Sequence, residues 1–576
     1  MEIKWKIDKL LSKGKGRQLL WVIILSVLIV VIAAIISKYV FADGVLSWKD
    51  LVSSFINNGY NIEPGEHYLF RMVFAFLSAF VFSALLISTL TNIIDNITTS
   101  VSDGTRRYKL SNHILILGNG NDFARIISEL QKKNKQIVVL SEVKPDLSDA
   151  DDVIYYHGRY YDEKELISAH PETADYIFIL GDIDNDIHDI RSIQALKGII
   201  KLTGNIRHDI HCVVSVNQQF SSEVFRYSRF KECGMSSHLL LDIVNEYEYY
   251  AEQLLVETDF LPIIKKEDDN AAHVVIIGSN PIAEAVAYEA AHICHYPDFA
   301  ENKNRTIITL LDSGVKSSYN RMLSAHPQLF EMSHYRYIHD NGEEYIHTPN
   351  TSYDFLDIEW HFVEAESNSA MAKAYLLAIA NQNDCKSCIA VCNIADNVGI
   401  ENVLHLPKEV YSKSTIAVYS NIGVDFLSMA EKTGQYHRVK IFGPANPLTN
   451  DPLFEHRFER GKRVNHFYEE WYGEKGQLSI DESWYKKSEA DKSSSIFCAI
   501  SLPLRKKCFS MDDKYALSEA EHRRWVMSAL ILGYKPGPET KKENFVHKDI
   551  VPFDALTKEE QQKDELFIRH IDDILS

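Results

Sequence analysis

Cysteine and positive charge are scarce in this 576-residue chain, and long apolar runs are absent from most of it. Only Cys385 and Cys388 of the eight cysteines have the spacing of a metal-ligand pair, and no second pair follows at a zinc-ribbon distance. The 61 Lys and Arg against 80 Asp and Glu give a formal net charge of -19. We therefore predict no metal site and no nucleic-acid partner, and we interpret the apolar run Cys388–Cys392 as a buried strand.

Long apolar runs occur only near the N-terminus. Leu19–Ser37 and Met72–Ile94 contain no charged residue, and about 20 apolar residues cross a hydrocarbon core as a helix. The mean hydropathy of -0.18 is too low for a protein with many spans, so the predicted membrane part ends near residue 95. A cleaved signal peptide is the alternative for the first run.

The charges around the two runs predict an orientation. Residues 1–18 are rich in Lys and Arg, and three more basic residues follow the second run. The loop between the runs contains the acids Asp43, Asp50, Glu63 and Glu66. The positive-inside rule then predicts a multi-pass protein of the inner or plasma membrane, with the N- and C-termini in the cytoplasm.

The loop between the runs has the layout of a pore segment, since a short amphipathic stretch precedes Gly59-Tyr60 and Pro64 follows. It resembles the pore region of two-helix potassium channels, where the carbonyl groups of a Gly-Tyr-Gly filter replace the water around the ion. The corresponding filter residues here are Asn57, Asn58, Gly59, Tyr60, Asn61 and Glu63. Because asparagines replace the usual Thr-Val and the second glycine, we expect a wider, hydrated cation path. The alternative is an extracellular hairpin in a two-span anchor.

A strand, a glycine turn, a helix and a second strand are predicted within residues 111–142. Ile114–Leu117 is entirely apolar, as in a buried parallel strand. The N–H groups of a turn through Gly118 and Gly120 can hold a pyrophosphate, and Glu142 stands where an acid binds ribose hydroxyls. Phe123 occupies the place of the third glycine, so the dinucleotide-binding motif is incomplete. Later strands are predicted at 176–182 and 211–217.

The same pattern recurs from His273. Gly278 opens the second turn and Asp312 ends the strand after its helix. Later strands are predicted at 388–393 and 414–421. We therefore predict two tandem Rossmann-like doubly wound domains, and the alternative for the second is a structural role without a ligand.

The order of these features resembles a known family. Two spans with a pore loop, a basic stretch and tandem Rossmann domains beginning at Asn112–Gly118 resemble channels gated by regulator-of-conductance domains. That stretch is most similar to the Castor and Pollux group, and the resemblance covers roughly residues 20–440. It implies a homotetramer with a cytoplasmic gating ring, in which Gly118, Gly120 and Glu142 line a nucleotide or ion site.

The C-terminal segment has a helix, a turn-rich loop and a second helix. Gly533 is predicted to end the first helix in a left-handed conformation, and Thr557 is predicted to cap the second. The segment resembles the ryanodine receptor repeat domain at Leu517, His522, Trp525, Gly533, Tyr534, Gly537, Val551, Pro552, Phe553, Leu556 and Asp564.

This segment also contains a candidate ligand pocket. Trp525 and Tyr534 offer aromatic faces on which a base can stack. The cations available to neutralise phosphate are Arg523, Arg524, Lys535, Lys541 and Lys542. We predict a pocket formed by His522, Arg523, Trp525, Tyr534 and Lys535. The alternative is that Trp525 and Tyr534 belong to a small core with Pro552 and Phe553.

The predicted fold is a two-helix membrane module with a pore loop, followed by two α/β Rossmann-like domains and a small, mainly α domain. The predicted boundaries are 1–18 for a basic N-terminus, 19–98 for the pore module with a re-entrant loop at 44–67, 99–260 and 261–445 for the two Rossmann-like domains, 446–510 for a connecting segment and 511–576 for the repeat domain.

The predicted function is a ligand-gated cation channel in a lipid membrane. Its ligand is predicted to be a small nucleotide of NAD-like, adenine or cyclic type, such as a second messenger in bacterial phage defence. A ligand gates by binding the open and closed states with different affinity. No catalytic His or Lys is evident beside a nicotinamide site, so we predict no enzyme activity. The alternative is a membrane-anchored nucleotide-binding sensor or NAD(P)-linked protein without a pore.

Overall fold

The structure is a computed structural model, and it divides into two units, Met1–Arg107 and Tyr108–Ser576. The residues that it describes are eight helical positions between Ile24 and Tyr39, then 68–120, 123–147, 150, 152–181, 186–203, 208–216, 238–297, 299–421, 439–444, 454–473 and 478–576. The predicted filter residues Asn57, Asn58, Gly59, Tyr60, Asn61 and Glu63 lie outside the described residues.

The first unit contains one long helix, α1 (Tyr68–Ser102). This helix includes the second predicted apolar run, and apolar side chains such as Leu69, Phe76 and Ile87 are exposed on it. Within the described residues, no helix combines the length and the apolar character that a membrane crossing needs.

The second unit begins with a six-stranded, fully parallel sheet in the order β3-β2-β1-β4-β5-β6. Its strands are β1 (His113–Gly118), β2 (Ile137–Ser141), β3 (Val153–His157), β4 (Ala174–Gly181), β5 (Ile210–Val216) and β6 (Leu239–Asn245). The order reverses between β1 and β4, which is the doubly wound arrangement. The strands predicted around 114–117, 176–182 and 211–217 are confirmed, and β3 and β6 are additions.

Among the described residues, the helices that accompany this sheet are α2 (Phe123–Gln131), α3 (Glu163–Ser168) and α4 (Asp186–Thr203). Helix α2 shows why the sequence folds in this way, because Phe123, Ile126, Ile127 and Leu130 are its buried residues. That spacing forms one apolar stripe on a helix. After β6, Asn245 caps α5 (Glu246–Glu252), and its side chain accepts hydrogen bonds from the next backbone N–H groups.

A second sheet of eight strands follows, in the order β10-β9-β11-β8-β7-β12-β13-β14, and only the β9–β10 pair is antiparallel. Its strands are β7 (Ala271–Ile277), β8 (Thr306–Asp312), β9 (His334–Ile338), β10 (Glu344–His347), β11 (Ile358–Glu364), β12 (Cys385–Val391), β13 (Thr415–Tyr419) and β14 (Val439–Phe442). The helices around it are α6 (Pro281–Ile293), α7 (Phe299–Asn302), α8 (Val315–Ala325), α9 (Pro327–Met332), α10 (Ala370–Asn381), α11 (Asp396–Leu404) and α12 (Lys408–Lys413). The prediction of a second Rossmann-like sheet is confirmed.

The remaining chain is mainly helical. Its elements are α13 (Glu455–Tyr472), α14 (Ile480–Tyr485), α15 (Glu489–Cys508), α16 (Lys514–Ile531), β15 (Lys535–Pro536), β16 (Val546–His547), α17 (Lys558–Arg569) and α18 (Ile571–Leu575). Gly533 has a φ of 81°, and the Thr557 side chain accepts a hydrogen bond from the Glu560 N–H, so both predicted helix boundaries are confirmed. One apolar core includes Ile293, Phe497 and Val526, so the C-terminal helices share their core with the second sheet.

Candidate functional site

A cavity of about 440 Å³ lies among the C-terminal helices. Its walls come from α13, α15, α16 and α17, together with the loop that contains residues 540–549. Helices α13 and α15 belong to the predicted connecting segment 446–510. The cavity is therefore built jointly by that segment and the predicted repeat domain.

One wall of the cavity is aromatic. Trp525, Tyr468 and Phe567 line it, and the Trp525 ring stacks on His522 with centroids 5.8 Å apart and an interplanar angle of 20°. Trp525 also meets the ring of His547 edge-on at 4.8 Å. These contacts hold an indole face at the cavity, and such a face can stack a planar ligand.

His522 and Asp564 form a buried polar pair in this wall. The Nε2 atom of His522 lies 2.8 Å from the Val551 carbonyl oxygen, to which it donates. This leaves Nδ1 facing the Asp564 carboxyl at 3.3 Å. Burial raises the pKa of Asp564, although the hydrogen bond from His522 opposes the shift. Either the imidazole or the carboxyl group can hold the proton between Nδ1 and Asp564, so the two groups satisfy each other within the wall.

The cavity is also lined by lysines that are paired with carboxylates. The Nζ atom of Lys542 lies 3.2 Å from Asp491, and that of Lys563 lies 2.6 Å from Glu560. Lys548 lies 3.7 Å from the same glutamate. Partly exposed pairs of this kind contribute little stability, so an anionic ligand can compete with the carboxylates for the lysines.

A buried ionic cluster lies at the base of the cavity. The Glu521 carboxylate accepts from Arg524 at 2.8 Å and also pairs with Arg505. Burial opposes the ionisation of Glu521, but the two guanidinium groups outweigh it and lower its pKa to about 2. With two arginines around one carboxylate, the cluster has a net positive charge, and its members Glu521 and Arg524 line the cavity.

The predicted pocket residues lie in different places. His522 and Trp525 line the cavity. Arg523 faces away from it, with its Nε atom 2.9 Å from Asp357 of the second sheet. Tyr534 packs edge-on against Phe545, and Lys535 is an exposed residue of the short strand β15. Neither lines the cavity, so the structure does not bring together the five residues that the sequence suggested.

Sequence reasoning missed Tyr468, Asp491 and Lys563. The first two lie in the predicted connecting segment 446–510, for which no ligand site was predicted. Their positions in the cavity depend on how α13 and α15 pack against α16 and α17, and the residue pattern of a single helix does not encode that packing.

The glycine turn of the first sheet is held against strand β4. A Cβ atom on Gly118 would lie 2.3 Å from the Gly181 carbonyl oxygen, and one on Gly120 would lie 2.0 Å from that of Leu180. Gly118 also has a φ of 89°. Both positions therefore require glycine for close backbone contact, whether or not the turn also holds a phosphate.

Glu142 follows β2 directly, as predicted. Its carboxylate accepts a hydrogen bond from the Tyr161 hydroxyl at 2.9 Å, and Arg159 lies 3.7 Å away. The Tyr161 ring stacks on His188 at 3.8 Å, and the hydrogen bond to Glu142 raises the pKa of Tyr161. Glu142 thus belongs to a polar and aromatic cluster, and its side chain is 43% exposed.

In the second sheet, the glycine turn, the helix N-terminus and the acidic residue after the second strand form hydrogen bonds within the domain. Behind Gly278, the Asn280 side chain accepts from the Ala283 N–H at 3.1 Å and caps α6. Asp312 accepts from the Gly314 N–H at 2.7 Å, and burial raises its pKa. Since the turn, the helix terminus and the acid all have partners within the domain, this geometry favours the structural role over a ligand site.

Comparison with solved structures finds GsuK, a channel protein. A crystal structure of GsuK bound to ADP is 14% identical with a TM-score of 0.39, covering 76% of this chain and 98% of GsuK. The GsuK channel bound to NAD is 11% identical with a TM-score of 0.40, covering 76% and 83%. The crystal structure of the GsuK RCK domain is 13% identical with a TM-score of 0.32, covering 62% and 82%. No protein-family model and no curated protein matches the chain. A likeness at this level carries no argument about what this chain does.

Proposed function

We propose that this chain is a sensor that binds a nucleotide-type ligand in the cavity between α13, α15, α16 and α17. The observation that carries the proposal is the pairing of an aromatic wall at Trp525 with lysines at Lys542 and Lys563 in one cavity. A base stacked on an aromatic ring gains roughly 1–3 kcal/mol. Charge-assisted hydrogen bonds from lysine then hold the phosphate.

The role of the ligand is regulatory in this proposal, and the chain is not an enzyme. The cavity is joined to the rest of the unit by buried contacts. Next to Asp491, the Nζ atom of Lys492 lies 3.2 Å from Asp242 on strand β6 of the first sheet. Next to His522, Arg523 pairs with Asp357 of the second sheet. A ligand that moves α15 or α16 therefore acts on both sheets.

The test is calorimetry of the full chain against mono-, di- and cyclic nucleotides. Lys542→Met should weaken binding about 10- to 150-fold, since one charge-assisted hydrogen bond is worth about 1.5–3 kcal/mol and the mutation also leaves the Asp491 carboxylate without this lysine. Lys535→Met is the matched control, because Lys535 is exposed and lies outside the cavity. Equal losses from both substitutions, or no binding by any nucleotide, would contradict the proposal.

As the finer form of this function, we propose that the N-terminal unit conducts cations as part of a homotetramer in the inner or plasma membrane. The support is in the sequence: two uncharged apolar runs, a loop with Asn57-Asn58-Gly59-Tyr60 between them, and the charge asymmetry around both. Apolar side chains exposed on α1 are consistent with an apolar environment.

This finer proposal is tested by cation flux into liposomes that contain the purified chain. Nucleotide addition should change the flux, and Asn58→Leu should abolish or reshape it without changing the tetramer seen by native mass spectrometry. A monomeric chain, or liposomes that stay impermeable with every nucleotide, would leave a membrane-anchored sensor as the function.

A further inference from the structure

Two cavities meet at Asp259, on the side of the second sheet where β13 and β14 begin. The first has a volume of about 370 Å³, and its lining includes Lys413, Thr415 and Lys440. The second has a volume of about 260 Å³ and is lined mainly by apolar residues such as Leu255, Ile263 and Leu504. Asp259 lines both. None of these residues lines the cavity at Trp525.

The polar cavity contains a lysine, Lys440, that forms no ion pair with the described residues. Within the described part of the chain, no carboxylate pairs with Lys440, which is partly buried in strand β14. The nearby Asp259 is already paired with Lys507 at 3.3 Å. The Nζ atom of Lys413 donates to the neutral Asn381 side chain, at 2.9 Å. Among the described residues that line the two cavities, three lysines thus accompany one carboxylate.

Burial and the charge of Lys507 lower the pKa of Lys440, although Asp259 opposes the shift. An ammonium group in this position gains free energy from a bound anion, because the anion replaces the missing counter-charge. Thr415 also lines the cavity, and its hydroxyl can donate to an anion. Ser412 and Ser414 line it too, but their hydroxyls already have partners, since Ser412 donates to the Glu409 carbonyl at 2.8 Å and Ser414 bonds to Ser387 at 2.7 Å. Lysines and hydroxyls together form hydrogen bonds to the oxygens of a phosphate group.

The adjoining apolar cavity indicates the chemistry of the rest of the ligand. Leu255, Leu261 and Leu504 are buried in its wall, and Ile263 at its surface is 47% exposed. An apolar group that covers Ile263 would remove that surface from water. The ligand chemistry that fits both cavities is a phosphate group attached to an apolar body.

We propose that this pair of cavities is a second binding site, which takes a phosphate monoester with an apolar substituent, its phosphate at Lys440 and Lys413 and its apolar part along Ile263. Both a soluble metabolite and a lipid with a phosphate monoester headgroup have this chemistry. Hexyl phosphate is the probe for a soluble metabolite, and dihexanoyl phosphatidic acid is the probe for a lipid. The site is independent of nucleotide binding at Trp525.

The experiment measures the acetylation rate of Lys440 in the full chain at pH 8 by mass spectrometry. Lys316, an exposed lysine of α8, is the internal reference. At ten times its dissociation constant, hexyl phosphate or dihexanoyl phosphatidic acid should slow acetylation of Lys440 about tenfold, by mass action. The rate at Lys316 should not change. The phosphate monoester that binds more tightly in calorimetry identifies the natural source.

Variants separate the two parts of the site. Lys440→Met should abolish binding of both probes, whereas Lys440→Arg should retain it, and Lys316→Met is the matched control. Ile263→Ser should weaken hexyl phosphate about threefold to tenfold through lost apolar contact and leave inorganic phosphate unaffected. The proposal would be overturned if hexanol slowed acetylation of Lys440 as strongly as hexyl phosphate does. It would also be overturned if neither phosphate probe slowed that acetylation. Unchanged binding in Lys440→Met would overturn it as well.

Discussion

At the residue scale, Asp357 joins the second sheet to the C-terminal helices. Its buried carboxylate is 2.8 Å from His295 Nδ1 and 2.9 Å from Arg523 Nε. Asp357→Asn removes one of two carboxylates that pair with the buried Arg523 guanidinium, which still pairs with Glu519 at 3.1 Å. The loss of this charge-assisted hydrogen bond costs about 1.5–3 kcal/mol. We expect a clearly lower midpoint of urea unfolding at pH 7. The exposed Asp340 gives the control, because Asp340→Asn should change the midpoint very little.

The same carboxylate predicts acid sensitivity. Burial opposes its ionisation, but His295 and Arg523 outweigh burial and lower the pKa of Asp357 to about 2, below the ordinary value near 3.9. A carboxylate with a lowered pKa in the folded state contributes stability above its unfolded pKa, and that stability is lost as the pH falls from about 4 to about 2. Unfolding midpoints measured across this range should fall more steeply in the native protein than in Asp357→Asn. Parallel curves would contradict the assigned role.

Asp491 competes with any anion for Lys542. The two groups are 3.2 Å apart, and both line the cavity at Trp525. Asp491→Asn removes the competing charge, so a nucleotide that places its phosphate at Lys542 should bind about twofold to tenfold more tightly in calorimetry. Glu489 on the same helix pairs with Lys492 instead, and Glu489→Gln should leave the affinity unchanged. Weaker nucleotide binding in Asp491→Asn would mean that Asp491 itself contacts the ligand.

At the element scale, a glycine-to-alanine substitution should have opposite effects on stability at Gly118 of β1 and at Gly198 of α4. Gly118 has a positive φ, and its Cβ would overlap the Gly181 backbone, so Gly118→Ala should destabilise the unit by more than about 1 kcal/mol. Gly198 lies inside α4, and a Cβ added there would meet no atom within 4 Å. Gly198→Ala should therefore stabilise the unit by about 0.5–1 kcal/mol. Thermal unfolding of both variants measures the difference, and destabilisation by Gly198→Ala would show that α4 is packed more tightly than the geometry indicates.

The elements that the sequence predicts are those with local signals. Ile114–Leu117 and the run at Cys388 are continuous apolar strands, and Gly533 and Thr557 stand at helix boundaries where their backbone or side chain is needed. Strand β6 is less evident, because it contains the buried Asp242. That aspartate is stabilised by hydrogen bonds from Trp484 and Tyr485, both 2.8 Å long. Its partners lie about 240 residues later in the sequence, so no local pattern identifies them.

The candidate site follows the same rule. His522 and Trp525 are predictable because they belong to one short, recognisable segment. Arg523, which was predicted for the same pocket, does not line this cavity, because it is the next residue of the helix and successive side chains of a helix point in different directions. It pairs with Asp357, 166 residues earlier. Side chains that meet through tertiary packing, such as Asp491 and Lys542, can be identified only from the structure.

At the scale of the whole molecule, the segment 511–576 does not have an apolar core of its own. Val526 and Ile574 belong to the same core as Ile293 of α6 and Phe497 of α15, and α16 adds the buried Arg523–Asp357 pair to the second sheet. A segment expressed without these partners would expose that apolar surface to water and bury little of its own. Residues 511–576 alone should therefore lack a cooperative thermal transition and a dispersed NMR spectrum, whereas residues 108–576 should unfold cooperatively.

Removing 511–576 from the longer chain should likewise lower the solubility of the remaining protein, since the deletion exposes the apolar faces of α6 and α15 to water. A well-dispersed spectrum from the isolated segment would show that it folds independently, and the cavity at Trp525 would then be an interface between two domains that each fold alone.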